Sequence, residues 1–333
     1  MVSVMSIARP TGFDLREHTR KFCEKDNRLA ALSYFGTFAV YFSSLWLAIT
    51  YVHLWWVLVP MAVVHAFSAV RLYVLQHDTG HHSLFRTRFQ NELAGHGLSP
   101  FTFAPFEVMK QNHNLHHANI GNLEHRETGE IHTMTLREWN EGGVWQRLQY
   151  RLYRNPVVLF GLGPGYLFFV QNRLPLGLMA SAKYWVSAMG TNAAILIGLG
   201  VMIYFGGVMP ILLIFLPSTL LAATAGMWLF YVQHQFEGVS RERGGRWDYA
   251  AAALQGSSYY KLPKILQWFT GNIGFHHIHH LSPRIPNYRL MECYRASEDL
   301  LALPVMTIRD SIHCARLALW CTERRKMVSF SAA

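Results

Sequence analysis

Residues 55–82, WWVLVPMAVVHAFSAVRLYVLQHDTGHH, join a long apolar run to a group of histidines. The run from Trp55 to Leu75 is close to the ~20 residues an α-helix needs to cross ~30 Å of hydrocarbon. It carries a single charge, Arg71, and HDTGHH begins two residues past its end. Three further apolar runs match it: about Leu29 to Tyr51, Tyr184 to Phe205 and Met209 to Val232. The links Val52–Leu54 and Gly206–Val208 contain no Lys or Arg and are short enough to admit only helical hairpins. The expected fold is an all-α integral membrane protein, with four transmembrane helices at about 29–51, 55–75, 184–205 and 209–232. They form two hairpins beneath a cytoplasmic helical cap that carries the histidine clusters. With no internal repeat and no linker rich in Ser, Pro or Gly, residues 1–333 read as a single domain.

Composition agrees. Charged residues make up 15% of the chain, against roughly 25% in a typical soluble domain, and 51% of the residues are hydrophobic. This excludes a disordered or fibrous chain. Mean hydropathy is only +0.12, so fully apolar segments alternate with polar ones. The formal charge of +10 has a definite address: six basic residues precede the first run, ten lie between Arg86 and Lys183, and thirteen follow from Arg241. By the positive-inside rule, both termini and the central loop are cytoplasmic, and both tight turns face the opposite side. The charge is therefore a topology signal, and no nucleic-acid partner is expected. The polar segment before residue 29 lacks the apolar core of a cleavable signal peptide, and four cysteines without a C-x-x-C pair give no disulfide or zinc framework. Two shorter apolar stretches, Leu98–Met109 and Pro156–Gln171, are broken by prolines and glycines and read as interfacial or re-entrant helices.

Ten of the eighteen histidines fall in three clusters: HDTGHH (77–82), HNLHH (113–117) and HHIHH (276–280). His234 stands two residues past the fourth run. Residues i, i+3 and i+4 share a helix face, so each cluster can aim two or three imidazoles at one point: His77 with His81, His113 with His116 and His117, and His276 with His279 and His280. Single histidines such as His18, His53, His65, His96, His125, His132 and His313 read as ordinary surface or hydrogen-bonding residues. Eight clustered ligands, or nine with His234, exceed the three or four that one zinc takes. Two metals are expected, and a nitrogen-rich site suits iron that must bind oxygen. Asp78 is a candidate to orient a neighbouring imidazole. A haem protein or metal transporter would set its histidines within the spans, where only His65 lies deep.

The motifs HDTGHHSLF (from His77), HNLHHANIGNLEHR (from His113), YVQHQFEG (from Tyr231), WDYAAAALQGSSYYKLP (from Trp247) and TGNIGFHHIHHLSPRIPNYRL (from Thr270) resemble the membrane fatty acid desaturases. They are most similar to the acyl-lipid type of bacteria and plastids that acts toward the methyl end. That resemblance implies a di-iron centre ligated by His77, His81, His113, His116, His117, His234, His276, His279 and His280, with molecular oxygen as co-substrate. His82 and His277 sit where the family pattern calls for no ligand. In the acyl-CoA enzymes of animals an Asn one turn before the additional His holds a water, and Phe230 occupies that position here.

The implied reaction is oxygen-dependent insertion of a cis double bond into a lipid-linked fatty acyl chain lying in a dry slot, for which Phe101, Phe103 and Phe106 are candidate walls. Hydroxylation or ketolation of an alkane, carotenoid or acyl chain is the alternative. With no flavin or nicotinamide motif in the chain, electrons are expected from a ferredoxin or a cytochrome b5-like donor. Arg241, Arg243, Arg246, Arg324, Arg325 and Lys326 are candidate contacts for it, or for anionic lipid. The expected location is a bacterial inner membrane, with both termini and the active site cytoplasmic.

Overall fold

The computed structural model describes residues 15–125 and 130–332. The helices that position the site are α1 (Asn27–Thr50), α2 (Trp55–Gly80), α3 (Arg88–Thr102), α4 (Phe106–Asn119), α5 (Val144–Tyr153), α6 (Gly163–Phe169), α7 (Ala182–Gly206), α8 (Leu216–His234), α9 (Lys264–Phe269), α10 (His276–Leu281) and α11 (Asn287–Arg295). Among the described residues, four helices are long and apolar enough to cross a membrane: α1, α2, α7 and Ile211–His234, which enters α8 through a π-helical turn. Strand among the described residues is confined to two short ladders, Tyr259–Tyr260 with Val305–Met306 and Leu319–Cys321 with Lys326–Val328. This is an all-α membrane protein in two hairpins, as the sequence leads one to expect. Arg126, at the end of the second histidine motif, and the side chain of Arg246 lie outside the described residues.

Local chemistry sets the ends of the spans. Asp26 starts α1 by accepting from the backbone N–H groups of Arg28 and Leu29 at 2.7 and 3.3 Å. Gly207, at φ 72°, makes the tight turn into the last span, where a side chain would be strained. Leu32, Phe35 and Ile197 expose large apolar side chains, as a lipid-facing surface requires. The second and fourth spans run on past their apolar stretches, α2 to Gly80 and α8 to His234. The added turn of α2 is polar but buried: Gln76, His77, Asp78 and Thr79 all face protein. A hydropathy reading stops at Leu75 for that reason.

Leu98–Met109 is not one interfacial helix. It is the junction of α3 and α4, bent at Phe103–Pro105, with Phe103 in the left-handed region at φ 54°. Gln76 of α2 holds the bend. Its amide nitrogen donates to the carbonyls of Gly95 (3.2 Å) and Ala104 (2.9 Å) and to Ser99 Oγ (3.1 Å), and its oxygen accepts from Thr102 Oγ1 at 2.7 Å. A Cβ on Gly95 would fall 2.3 Å from the Phe106 ring, so Gly95 lets α4 pack directly on α3. Gln76 thus sets the position of the second histidine cluster relative to the first.

Residues 158–169 pack against the last span. Thr224 Oγ1 donates to the Phe160 carbonyl at 2.9 Å, and the Phe160 ring lies 5.0 Å from both Trp228 and Tyr231. Thr224 is ten residues before His234, about 15 Å deeper along the helix at 1.5 Å per residue. The segment therefore reaches well below the level of the histidines.

Arg71, the one charge in the second span, is fully engaged. Its Nε donates to Thr37 Oγ1 at 3.0 Å and its terminal nitrogens to Ser33 Oγ at 2.9 Å and the Trp268 carbonyl. The guanidinium also lies over the Trp268 ring at 4.4 Å. It ties α9 to both helices of the first hairpin. Replacing Arg71 with Leu removes three charge-assisted hydrogen bonds, although Thr37 Oγ1 keeps its bond to the Ser33 carbonyl and the Trp268 carbonyl keeps the Gly271 N–H; hydrogen bonds to a charged group contribute roughly 1.5–3 kcal/mol each. We expect a lowered Tm of the purified protein for Arg71→Leu, with Ser33→Ala having a much smaller effect. Thermal unfolding in one detergent measures both.

Candidate metal centre

Four elements bring the histidines together at one end of the spans. His77 sits in the last turn of α2 and His81 caps it, while α4 carries His113, His116 and His117. His234 ends α8, and the short α10 carries His276, His279 and His280. The nine imidazoles separate into two groups that could each hold a metal ion. His77, His81, His113, His117 and His279 form one, and His116, His234, His276 and His280 the other, with ligand atoms inside each group within 4.8 Å of one another.

The H-x-x-H-H clusters do not aim three imidazoles at one point. In each, the i and i+4 residues share a group and the i+3 residue joins the other, because neighbours at i+3 and i+4 diverge by about 100° around the helix axis. His113 and His117 are thus divided from His116, and His276 and His280 from His279. The groups adjoin through these neighbours, with His116 and His117 rings 5.8 Å apart and His117 stacked on His280 at 4.2 Å.

The donor set fits a cation better than a hydrogen-bond network. His234 Nε2 lies 2.8 Å from His276 Nε2 and 3.2 Å from His116 Nε2, and His276 Nε2 is 3.1 Å from His280 Nε2. In the other group His117 Nε2 lies 2.9 Å from His113 Nε2 and 3.0 Å from His279 Nε2. A neutral imidazole has one N–H. His234 Nδ1 faces the Gly256 carbonyl at 3.3 Å and must donate there, leaving a lone pair on Nε2. His77 Nδ1 likewise faces Asp78 Oδ1 at 3.2 Å, and its buried Nε2 has no partner. Lone pairs therefore converge on shared points, which a bound metal satisfies.

Burial holds His81, His113, His117, His276, His279 and His280 well below the usual imidazole range, reinforced by their histidine neighbours. Burial likewise brings His116 to about 4. All are neutral, the ligating form, near pH 7.

The supporting contacts extend the sequence reading. Asp78, buried beside His77, accepts from the Asn287 backbone N–H at 2.9 Å and its side-chain nitrogen at 2.8 Å, so α11 fixes the carboxylate that orients His77. The sequence reading assigned no role to Gln76, which precedes the first histidine motif, or to Asn287, which lies inside the quoted stretch from Thr270 to Leu290. Glu130 pairs with Arg241 at 3.1 Å with both side chains almost fully buried, so Arg241 is not a docking contact as its charge suggested. Arg325 and Lys326 are paired with Glu242 and Glu237, whereas Arg243 and Arg324 are exposed with no ion pair among the described residues. His82 and His277 belong to neither metal group: His82 contacts Lys110 (3.2 Å) and Glu92 (3.5 Å), whereas His277 is buried near Tyr259 and Tyr294.

A cavity of about 920 Å³ opens onto His77, His113, His116 and His276 and runs between spans past Tyr73, Leu159 and Phe230. Phe101 and Phe103 line it. Phe106 does not, because its ring is spent packing against Gly95 of α3.

Two groups of imidazoles at the end of a hairpin pair, facing an apolar cavity, are the arrangement expected of a membrane-bound metal-dependent oxidoreductase. Residues 53–311 match the family described as fatty acid desaturase, and the chain belongs to that family. It is 35% identical to a fatty acid desaturase of Bacillus subtilis over 96% of this chain and 90% of that protein. It is 27% identical to an acyl-lipid omega-3 desaturase (cytochrome b5) of the endoplasmic reticulum from Arabidopsis thaliana, over 86% of this chain and 76% of that protein. It is also 26% identical to a chloroplastic sn-2 acyl-lipid omega-3 desaturase (ferredoxin) from Helianthus annuus, over 69% of this chain and 53% of that protein.

If Asp78 orients His77, Asp78→Ala should lower metal affinity about 10- to 100-fold, the usual effect of losing such a support. Asp78→Asn, which keeps one acceptor oxygen, should lose less. Metal per chain after graded chelator dialysis gives the comparison.

Proposed function

We propose that this protein inserts a cis double bond into a lipid-linked fatty acyl chain, using two iron ions and molecular oxygen. One iron is held by His77, His81, His113, His117 and His279, and the other by His116, His234, His276 and His280. The observation that carries the reading is the apolar cavity that ends on four of these imidazoles. Bound iron supplies the oxygen-dependent oxidation chemistry that imidazole ligation suits.

The chain's own residues do the rest. The cavity walls exclude water and hold two neighbouring methylenes at a fixed distance from the ligands, which is where the entropic part of the catalysis lies. Asp78 and the Gly256 carbonyl hold the Nδ1 protons of His77 and His234, keeping both Nε2 lone pairs turned inward. One hydrogen leaves each methylene, two electrons arrive from a donor with two protons from solvent, and oxygen departs as two waters.

The donor is a ferredoxin or a cytochrome b5-like protein, in keeping with the donors named for the two plant relatives. Both termini and the metal centre face the cytoplasm of a bacterial inner membrane, in keeping with the distribution of Lys and Arg.

Expression in a host of simple lipid composition, followed by mass spectrometry of the fatty acids, tests the reading. A new cis alkene is expected, and a hydroxy or keto product would replace it with the alternative chemistry. Purified protein should contain about two irons per chain, since nine imidazoles exceed what one metal takes. His234→Ala should abolish the product and reduce iron content. His82→Ala and His277→Ala should retain iron. Retention of full iron and activity by His234→Ala, with loss of both in His277→Ala, would contradict the ligand set.

A further inference from the structure

A second cavity, of about 480 Å³, lies between the end of α5 and the C-terminal ladder, and Arg151, Arg154 and Arg316 line it with Asn155, Pro156 and Phe330. None of the three arginines has a carboxylate partner among the described residues. Arg154 is buried, and its terminal nitrogens donate to the carbonyls of His132 (3.3 Å) and Leu317 (2.7 Å), to Tyr231 Oη (2.9 Å) and to Gln235 Oε1 (3.2 Å). Its Nε is buried with no partner. The Arg151 guanidinium lies over the rings of Trp139 and Phe330 at 5.4 and 5.3 Å, and Arg316 is exposed. Three positive charges around one small cavity call for an anion.

The helix beside the cavity indicates where that anion comes from. α5 exposes Val144, Trp145, Leu148 and Leu152, which fall within about 100° of arc at 3.6 residues per turn. An uncovered apolar stripe of this kind on an amphipathic helix is the mark of a helix lying in a membrane interface. The chain continues from α5 into residues 158–169, which expose Leu162 and Tyr166 and pack on α8 well below the level of His234. The apolar face of α5 therefore continues into membrane-embedded protein. Arg151, next to Leu152 and at the edge of the stripe, stands where basic side chains meet lipid headgroups.

We infer that this cavity binds the phosphate of an anionic phospholipid whose acyl chains lie along the exposed face of α5. Arg151 and Arg316 supply the accessible charges and Arg154 the fixed, buried one. The site is separate from the acyl cavity and the metal centre, and the inference stands apart from the proposed desaturation.

The test uses the full-length protein in detergent, with native mass spectrometry of retained lipid. Dioleoyl phosphatidylglycerol should be held in preference to dioleoylglycerol, which has the same chains without the phosphate. The Arg316 side chain makes no hydrogen bond or ion pair among the described residues, so Arg316→Glu probes the site with little structural cost, and Arg151→Gln/Arg316→Gln removes both accessible charges. The double variant should weaken phosphatidylglycerol retention about tenfold or more, at the usual scale for two basic residues near a lipid surface. The control Arg284→Gln/Arg309→Gln, which removes two exposed charges elsewhere, should leave it unchanged. Equal retention of the two lipids, unaltered retention by both cavity variants, or an equal loss in the control would overturn the inference. Displacement of the lipid by millimolar inorganic phosphate would also overturn it, by making this a soluble-anion site.

Discussion

Nine imidazoles gathered at one end of the spans, seven of them buried, are the constraint on which the rest of this structure depends. Imidazoles with their lone pairs turned together are unfavourable neighbours unless something accepts those lone pairs, so the fold must hold them in place at a cost. It does so by running two spans beyond their apolar stretches and closing the gap with α4 and α10. The polar last turn of α2 serves this purpose twice over, since Gln76 fixes the bend that positions α4 while His77 and Asp78 face the centre. Arg71 extends the same scaffold downward, fastening α9 to the first hairpin ahead of the segment that leads into α10.

The apolar cavity and the two histidine groups share walls, which in the proposed reaction ties chemistry to depth. Residues of α2, the α3–α4 bend, residues 158–169 and α8 line the space, and the histidines close its end. An acyl chain entering it meets the ligands at a position set by how far the cavity extends beyond them. That distance belongs to the packing of helices rather than to any one residue.

Much of this was legible in the sequence because it rests on one-dimensional signals. Span length, tight turns without basic residues, and histidines at helical spacing each survive without three-dimensional context. What escaped reading depends on contacts between distant parts of the chain. Arg241 resembled a surface charge until Glu130 was found against it in the interior. Phe106 resembled its neighbours Phe101 and Phe103, yet the missing side chain at Gly95 draws it into the helix–helix contact. The apolar stripe of α5 is too short for a hydropathy window and too mixed with arginines to stand out. The division of each H-x-x-H-H cluster was likewise invisible, because spacing identifies a shared helix face but not how many points that face can serve.

That division has a consequence for assembly. Since α4 and α10 each contribute to both histidine groups, neither group can be ordered while the other is slack. If the two proposed irons bind, an ion settling in one position stiffens the helices that form the other, so the second ion meets ligands whose ordering entropy has already been lost. Half-filled molecules should then be scarce at equilibrium, and metal supply would act on this protein as a threshold more than as a dial.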